Sequence, residues 1–514
     1  MGRIINQANM SDVEDALVRV LAPHFASTHS LSRPVLLSGM FSSCYETMSQ
    51  LLAAAAAIKV LSGRVFAFPE FVGVQSMPFK LCLRLGIRPV VTEKGSPARL
   101  AKHLFNLGTL GASVARGQIE TLLQLRSRGV LFGDLAYDTA LRKTYTSDGK
   151  PFHTVNARSK HLYYRLAEAS RLCDHYEAVL NELRPCLVVV NDRAYSEEGL
   201  LLRSSLAKGI PVLIVAAGHT YLLSDPAYAE VDHRGLGLTD YLANSRDSLP
   251  TAQDFIQKRF AGEVIDTPDS LRAFDSSQSR EETCLLSRQD ERPVAVIMPH
   301  ILCDVPHCTT ETVYVDYYEW LVETLKITSR CSEVRWLMKL HPSVGSYGED
   351  GTFSDILSRF SHVTLLPTET NTARLLNAVD CVITARGTVG MEAPFFNIKP
   401  ICTASSVYSG MPFVNYCKTR TDYERTLHSI QRKTSLSEEI RSLAALVLYY
   451  VTRGRFAESN ILKPRWLTHG EPSPRFLSNS SLTFEQVYLN LESCSLESDP
   501  LLKRLCEEMS SLPK

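Results

Sequence analysis

The feature that most restricts the fold of this 514-residue chain is an alternation, met twice over, between short apolar runs rich in β-branched residues and longer amphipathic stretches. Runs that are apolar throughout suit strands covered on both faces, and the amphipathic stretches between them supply the helices that do the covering. The pattern is that of βα units on mainly parallel sheets, an α/β chain. In the first half, strands are expected at 35–38, 64–68, 89–92, 186–191 and 212–216, with a long helix over about 156–183 leading into the fourth.

Between about 266 and 292 the chain turns polar (DTPDSLRAFDSSQSREETCLLSRQDER), with no apolar period able to bury a face. A break in core-forming pattern marks a boundary between domains. The alternation restarts at once with PVAVIMPH (293–300), a helix at 316–329 and strands at 334–340, 363–366, 381–384 and 400–403. The expected organisation is therefore an N-terminal domain at 1–275, a linker at 276–292 and a C-terminal domain at 293–440. A helical tail at 441–514, which includes EEIRSLAALVLYYVTRG, should pack on the body. Two doubly wound, Rossmann-like domains would face each other across a cleft, and such sheets bind ligands at the carboxyl ends of their strands.

Composition narrows the partners. Lysine plus arginine and aspartate plus glutamate each total 55, so the global field that draws proteins onto nucleic acid is absent, and any anionic ligand must be held by a local site. The strongly apolar run at 51–60 contains Lys59 and falls short of the roughly 20 residues of a membrane span. The N-terminus lacks the apolar core of a secretory signal, and the 13 cysteines form no Cys-x-x-Cys pair. A cytoplasmic protein with reduced thiols is expected.

Three segments at expected strand ends carry chemistry. In WLMKLHPSVGSYGED a strand ends in Lys339, and His341 and Pro342 follow. Proline biases His341 toward extended geometry, which aims it into the cleft; the alternative is a histidine that caps its own loop. In DCVITARGTVGMEAPFFNIKPIC the strand runs into Arg386 and Gly387, and a helix is expected from Thr388 to Phe396. A glycine turn at a helix N-terminus, with a hydroxyl and a guanidinium, makes a phosphate site, and Glu392 would accept from ribose hydroxyls; the bland alternative is a turn with a capping threonine. In IMPHILCDVPHC the strand ends at His300, with Asp304 and His307 in the loop beyond. Two histidines and a carboxylate raise the question of a metal, but no fourth ligand is evident and none is expected. In the first half, Asp192 at a strand end is either a general base facing the cleft or a helix cap. The segment GVLFGDLAYDTALR clusters Asp134, Asp138 and Arg142, which reads as charge pairing that orders a loop.

Assembled, PHILCD, DYYEWLVETL, KLHP and ITARGTVGMEAPFFNIKPI resemble the nucleotide-binding half of GT-B glycosyltransferases, in particular the bacterial capsule and surface-polysaccharide group that includes the Kdo transferases. GVLFGDLAYDTALR and NDRAYSEEGLLLRSSLAKGIPV are similar, more loosely, to first-domain segments of that group. The resemblance implies a GT-B-like fold and a nucleotide-sugar donor on the second domain, near His300, Lys339, His341, Pro342, Arg386, Gly387, Thr388 and Glu392. It implies a glycan or lipid-linked glycan acceptor on the first domain, no separate cofactor and no metal. Peripheral association with a membrane-bound assembly complex at the inner face of the membrane would follow. His341 would steady charge on the departing phosphate and Asp192 would take the acceptor's proton. A sugar-nucleotide 2-epimerase of the same fold and a non-catalytic polysaccharide-assembly scaffold are the alternatives.

Overall fold

A computed structural model describes residues 10–26, 33–39, 44–68, 77–90, 119–143, 154–155, 159–216, 218–263, 285–287, 290–307 and 311–463, then 482–512, with isolated positions between them. Most of the expected linker at 276–292 lies outside these residues, as do positions 91–92 of the third expected strand.

The first sheet contains β1 (Pro34–Leu37), β2 (Arg64–Ala67) and β3 (Arg88–Pro89). A small hairpin, β4 (Arg126–Ser127) and β5 (Val130–Leu131), stands apart from it. The sheet resumes with β6 (Leu187–Val190), β7 (Val212–Ala216) and β8 (His219–Leu223). Its order is β3-β2-β1-β6-β7-β8, parallel except for β8, which pairs antiparallel with β7. The second sheet contains β9 (Val294–Ile297), β10 (Arg335–Met338), β11 (Val363–Leu365), β12 (Cys381–Thr384), β13 (Ile401–Cys402) and β14 (Asn415–Tyr416). Its order is β11-β10-β9-β12-β13-β14, parallel throughout. In both six-stranded sheets the winding reverses beside the first strand, the arrangement of a doubly wound Rossmann-like fold. The α/β class with two such domains is therefore the observed architecture. Among the described residues no helix is long and apolar enough to cross a membrane.

The reversal points matter because chains leaving the two central strands diverge there and leave a crevice. In the first sheet it lies between the ends of β1 and β6, at Ser38 and Asn191; in the second it lies between β9 and β12, at His300 and Ala385 to Gly387. These two edges meet: the Tyr195 hydroxyl, just past β6, donates to Asp304, just past β9, at 3.2 Å.

Core membership does not follow chain order. Leu238, Ala252, Phe255 and Ile256, expected with the N-terminal domain, are buried with Tyr408, Phe413 and the helix Glu438–Tyr449 of the second. Conversely the last helix, Pro500–Ser510, sends Leu501, Leu502, Leu505 and Met509 into the core under β1, β6 and β7, against the alanine-rich helix Cys44–Leu61. Small residues on that helix let the two approach closely.

The expected helix from Thr388 to Phe396 is two pieces, a four-residue α turn Val389–Glu392 and a 3₁₀ turn Ala393–Phe396. Pro394 supplies no N–H to continue the ladder, and Asn397 ends the second piece in the left-handed region at φ 60°.

Candidate functional site

On the second domain, three of the expected strand ends converge. His300 stacks on Tyr317, with ring centroids 4.4 Å apart and planes 14° from parallel. Its Nε2 accepts from the Arg386 backbone N–H at 3.2 Å. Burial, reinforced by the Arg386 guanidinium, pushes the imidazole down to about 3, so it stays neutral and keeps that acceptor. β10 pairs in parallel with β9, Met338 opposite Ile297, so the segments leaving the two strands run out at the same sheet edge. His341 itself is half-buried, and its Nδ1 accepts from the Ser343 N–H at 3.2 Å, which leaves the ring proton on Nε2. The loop-capping geometry is thus present, and it also sets the tautomer.

Four sequence expectations change. Arg386 is buried, and its guanidinium donates to the Tyr317 hydroxyl (2.8 Å), Thr309 (3.0 Å) and the Val305 carbonyl (2.7 Å). Those bonds tie the turn after β12 to Val305, Thr309 and Tyr317, so the guanidinium is committed to holding that turn in shape. Lys339, the residue after β10, is only 2% exposed, so its ammonium is buried and not presented at the surface of the cleft. Glu392, expected on ribose, is buried against Arg259 at 2.8 and 3.1 Å, an ion pair between the second domain and the helix Leu249–Phe260. The helix-dipole argument for a phosphate at Thr388 weakens, because one turn carries little of a macrodipole. What remains open to the cleft is Thr388, which is exposed, and Gly387, half-buried with its carbonyl held by Tyr408 at 2.7 Å. Pro342 is half-buried next to His341.

His300, Asp304 and His307 do not gather around a point. Asp304 accepts from Tyr195, whereas His307 is buried against Asp138 of the first domain at 2.7 Å. Among the described residues, the group with metal-ligand spacing is Cys331, Glu333 and His428, away from both strand edges.

The first-domain edge is a nest of carboxyl groups. The turn after β6 is a π turn, Tyr195–Gly199, entered through Tyr195 at φ 60°, a conformation β-carbon sterics disfavour. A β-carbon on Gly199 would lie 2.5 Å from the Arg193 carbonyl, so the loop folds directly onto the turn. This carries Glu198 back under the sheet edge, where it accepts from the Ser38 hydroxyl and from the Asn191 N–H at 2.9 Å; Gln50 donates to Ser38 at 2.6 Å. Burial, reinforced by Asp192 and Glu46, pushes Glu198 up to about 8, so it holds its proton at neutral pH. Asp192 stays open to solvent at the crevice floor and accepts from the N–H groups of Arg193 (2.6 Å) and Ala194 (3.2 Å). Desolvation by the crevice, and Asp304 across it, raise its carboxyl above the usual range. Asp192 is thus not the cap of the helical turn that follows, whose N-cap is Ala194; its carboxylate orders the two residues leading into that turn. The amide of Asn191 is buried, and among the described residues neither its oxygen nor its nitrogen has a partner. Glu198 and Asn191 were not singled out as site residues in sequence, because nothing in spacing announces a π turn.

The protonated Glu198 gives a stability test. Its carboxyl titrates near 8 when folded against 4.5 ordinarily, so between those values the folded chain keeps a proton the unfolded chain has lost, and stability falls as pH rises through that window. Glu198→Gln removes that slope. Urea melts at pH 5 and 8 should show the variant gaining on wild type at the higher pH by a few kcal/mol, and parallel curves would mean the carboxyl is ionised in place.

Among solved structures similar to this chain are glycosyltransferases and UDP-GlcNAc 2-epimerases. A glycosyltransferase from Rickettsia africae ESF-5 is 8% identical, covers 83% of this chain and 95% of its own, and superposes with a TM-score of 0.28. For S. aureus MnaA with UDP the identity is 8%, the coverage 87% and 100%, and the TM-score 0.26. For the UDP-GlcNAc 2-epimerase of Neisseria meningitidis bound to UDP-GlcNAc they are 12%, 81% and 99%, and 0.21. Superpositions this loose carry no argument about activity. No family model matches the sequence, and no curated protein matches it.

Proposed function

We propose that this protein is a nucleotide-sugar-dependent glycosyltransferase, acting on a glycan or lipid-linked glycan acceptor in bacterial surface-polysaccharide synthesis of the capsule type. The observation that carries the reading is the meeting of two strand-reversal crevices, one with His300, His341 and a glycine turn, the other with an open carboxylate, linked by Tyr195 and Asp304. The nucleotide would lie on the second domain along Gly387 and Thr388, with the Nε2–H of His341 at its phosphate. As the sugar–phosphate bond breaks, the bond pair leaves on the phosphate, and a donor already aimed there lowers the barrier. Asp192 takes the proton of the acceptor hydroxyl as its oxygen bonds to the sugar. No metal or separate cofactor enters this scheme, which agrees with the sequence resemblance. Peripheral docking to a membrane-bound assembly complex fits an acceptor carried on lipid.

The test is a panel of UDP, CDP, GDP and dTDP scored by thermal stabilisation, because a ligand that binds only the folded chain raises its melting temperature by mass action. The stabilising nucleotide then selects the labelled sugar donors for a transfer assay. Transfer that requires an acceptor supports the proposal. Conversion of the sugar nucleotide with no acceptor present identifies a 2-epimerase, and binding of no nucleotide leaves the assembly-scaffold reading.

A further inference from the structure

We propose that Cys331, Glu333 and His428 bind a zinc ion at the end of β10 opposite His341, a site that stands apart from the donor crevice. Cys331 and Glu333 belong to the turn between the helix Tyr317–Thr328 and β10, and His428 is the last residue of the helix Arg420–His428. One atom from each, a sulfur, a carboxylate oxygen and a ring nitrogen, lie within 4.8 Å of one another. Cys331 Sγ and His428 Nδ1 are 3.2 Å apart. Zinc bonds of about 2.3 Å to sulfur and about 2.0 Å to nitrogen set such a pair about 3.6 Å apart in a tetrahedron, so these atoms need to open by only a few tenths of an ångström.

The surroundings hold the three ligands in place. The Cys331 N–H donates to the Thr328 carbonyl at 3.0 Å, and the Cys331 carbonyl accepts from the Trp336 indole at 3.0 Å, which fixes the turn. The histidine's helix is fastened to the same region by Tyr423 with Thr324 (2.8 Å) and by Glu424 with Arg330 (2.8 Å). Cys331 is buried whereas Glu333 and His428 are exposed, so an ion arriving from solvent passes the two outer ligands to reach the sulfur. With Nδ1 toward the sulfur, the other ring nitrogen faces the Glu424 carboxylate at 4.0 Å, a group of the kind that steadies a metal-bound imidazole. Burial, with the Glu333 charge beside it, pushes the thiol up to about 11, so the sulfur keeps its proton until a cation displaces it. Thiolate, imidazole and carboxylate together suit zinc, whereas magnesium and calcium take oxygen ligands. Water completes the tetrahedron. Bound there, the ion ties the end of one helix to the turn after another and adds its binding free energy to the stability of the second domain.

The experiment uses the full chain, stripped with a chelator and kept reduced, and titrates it with Co²⁺ as the spectroscopic substitute for Zn²⁺. Wild type should take up one ion with the sulfur-to-cobalt charge-transfer band of a thiolate ligand. Zn²⁺ should displace it, release a proton at neutral pH and raise the melting temperature. Cys331→Ser should abolish the band. Glu333→Gln and His428→Gln, both at exposed positions that leave no core cavity, should each weaken Zn²⁺ by at least about 10-fold, and they carry the test should the serine variant not fold. The chain has 13 cysteines, so a band that survives unchanged in all three variants assigns the ion to other thiols and overturns the site. Wild type that shows no such band overturns it as well.

Discussion

His341→Ala is expected to lower turnover by about 10²- to 10³-fold, the usual cost of deleting one preorganised donor to developing charge, with a smaller loss of donor affinity. The imidazole sits just past the end of β10, with its proton on Nε2 because Nδ1 accepts from Ser343. Truncation removes that turn bond as well, at about 1 kcal/mol. The two effects separate with His341→Asn, whose amide oxygen can accept from the N–H two residues on but offers nothing at the Nε2 position. If the donor to phosphate matters, asparagine restores stability and leaves turnover low. Asp192→Asn is the contrast: its oxygen keeps the bonds to Arg193 and Ala194, nucleotide affinity should stay within a few-fold, and turnover should collapse. Full activity in folded, donor-saturated His341→Ala would return the histidine to loop capping.

The largest loss of stability is expected for Asp138→Ala. Asp138 lies on the helix Gly133–Lys143 and accepts from both the ring Nδ1 (2.7 Å) and the backbone N–H (3.1 Å) of His307 in the other domain. Both side chains are buried; desolvation opposes the imidazolium, and the Asp138 charge outweighs it, raising His307. The neighbouring Tyr137 hydroxyl donates to Asp316 at 2.6 Å, and Arg142 sits over the Tyr347 ring at 4.4 Å, so one helix docks three times on the second domain. Removing one partner of a buried pair strands the other and costs about 3–5 kcal/mol, read as a shift in urea midpoint at constant slope. The exposed pair Arg128 with Asp174 is the control, with a loss of at most about 1 kcal/mol on truncation. A loss that small at Asp138 would mean that water replaces the contact.

The strand cores were legible because β-branched runs such as LVVV, VLIVA and CVIT leave no face for water, and these three strands fall within one residue of the expected ones, whereas β9 stops at Ile297, three residues short of His300. What periodicity does not carry is partnership. HTYLL in β8 alternates too briefly to announce an antiparallel edge strand, and β14 is two residues long. Arg386 and Glu392 were visible as strand-end and helix residues, but their acceptors and donors come from Val305, Thr309 and Arg259, which only the fold brings near. The segment GDLAYDTALR, expected to order a loop by pairing Asp134, Asp138 and Arg142, is instead a helix whose carboxylates pair with Arg203 and with His307 of the other domain, partners that only the fold brings near.

The traded core segments make this protein a poor candidate for folding as it is synthesised. The apolar underside of the first sheet waits for Leu501, Leu502, Leu505 and Met509, which leave the ribosome after every strand of both sheets has been made. The early half therefore spends translation with bare hydrophobic surface, a state that invites aggregation and chaperone capture. The same closure late in the chain ties the two halves into one cooperative unit: a ribosome that stalls in the second domain leaves the first without its lid.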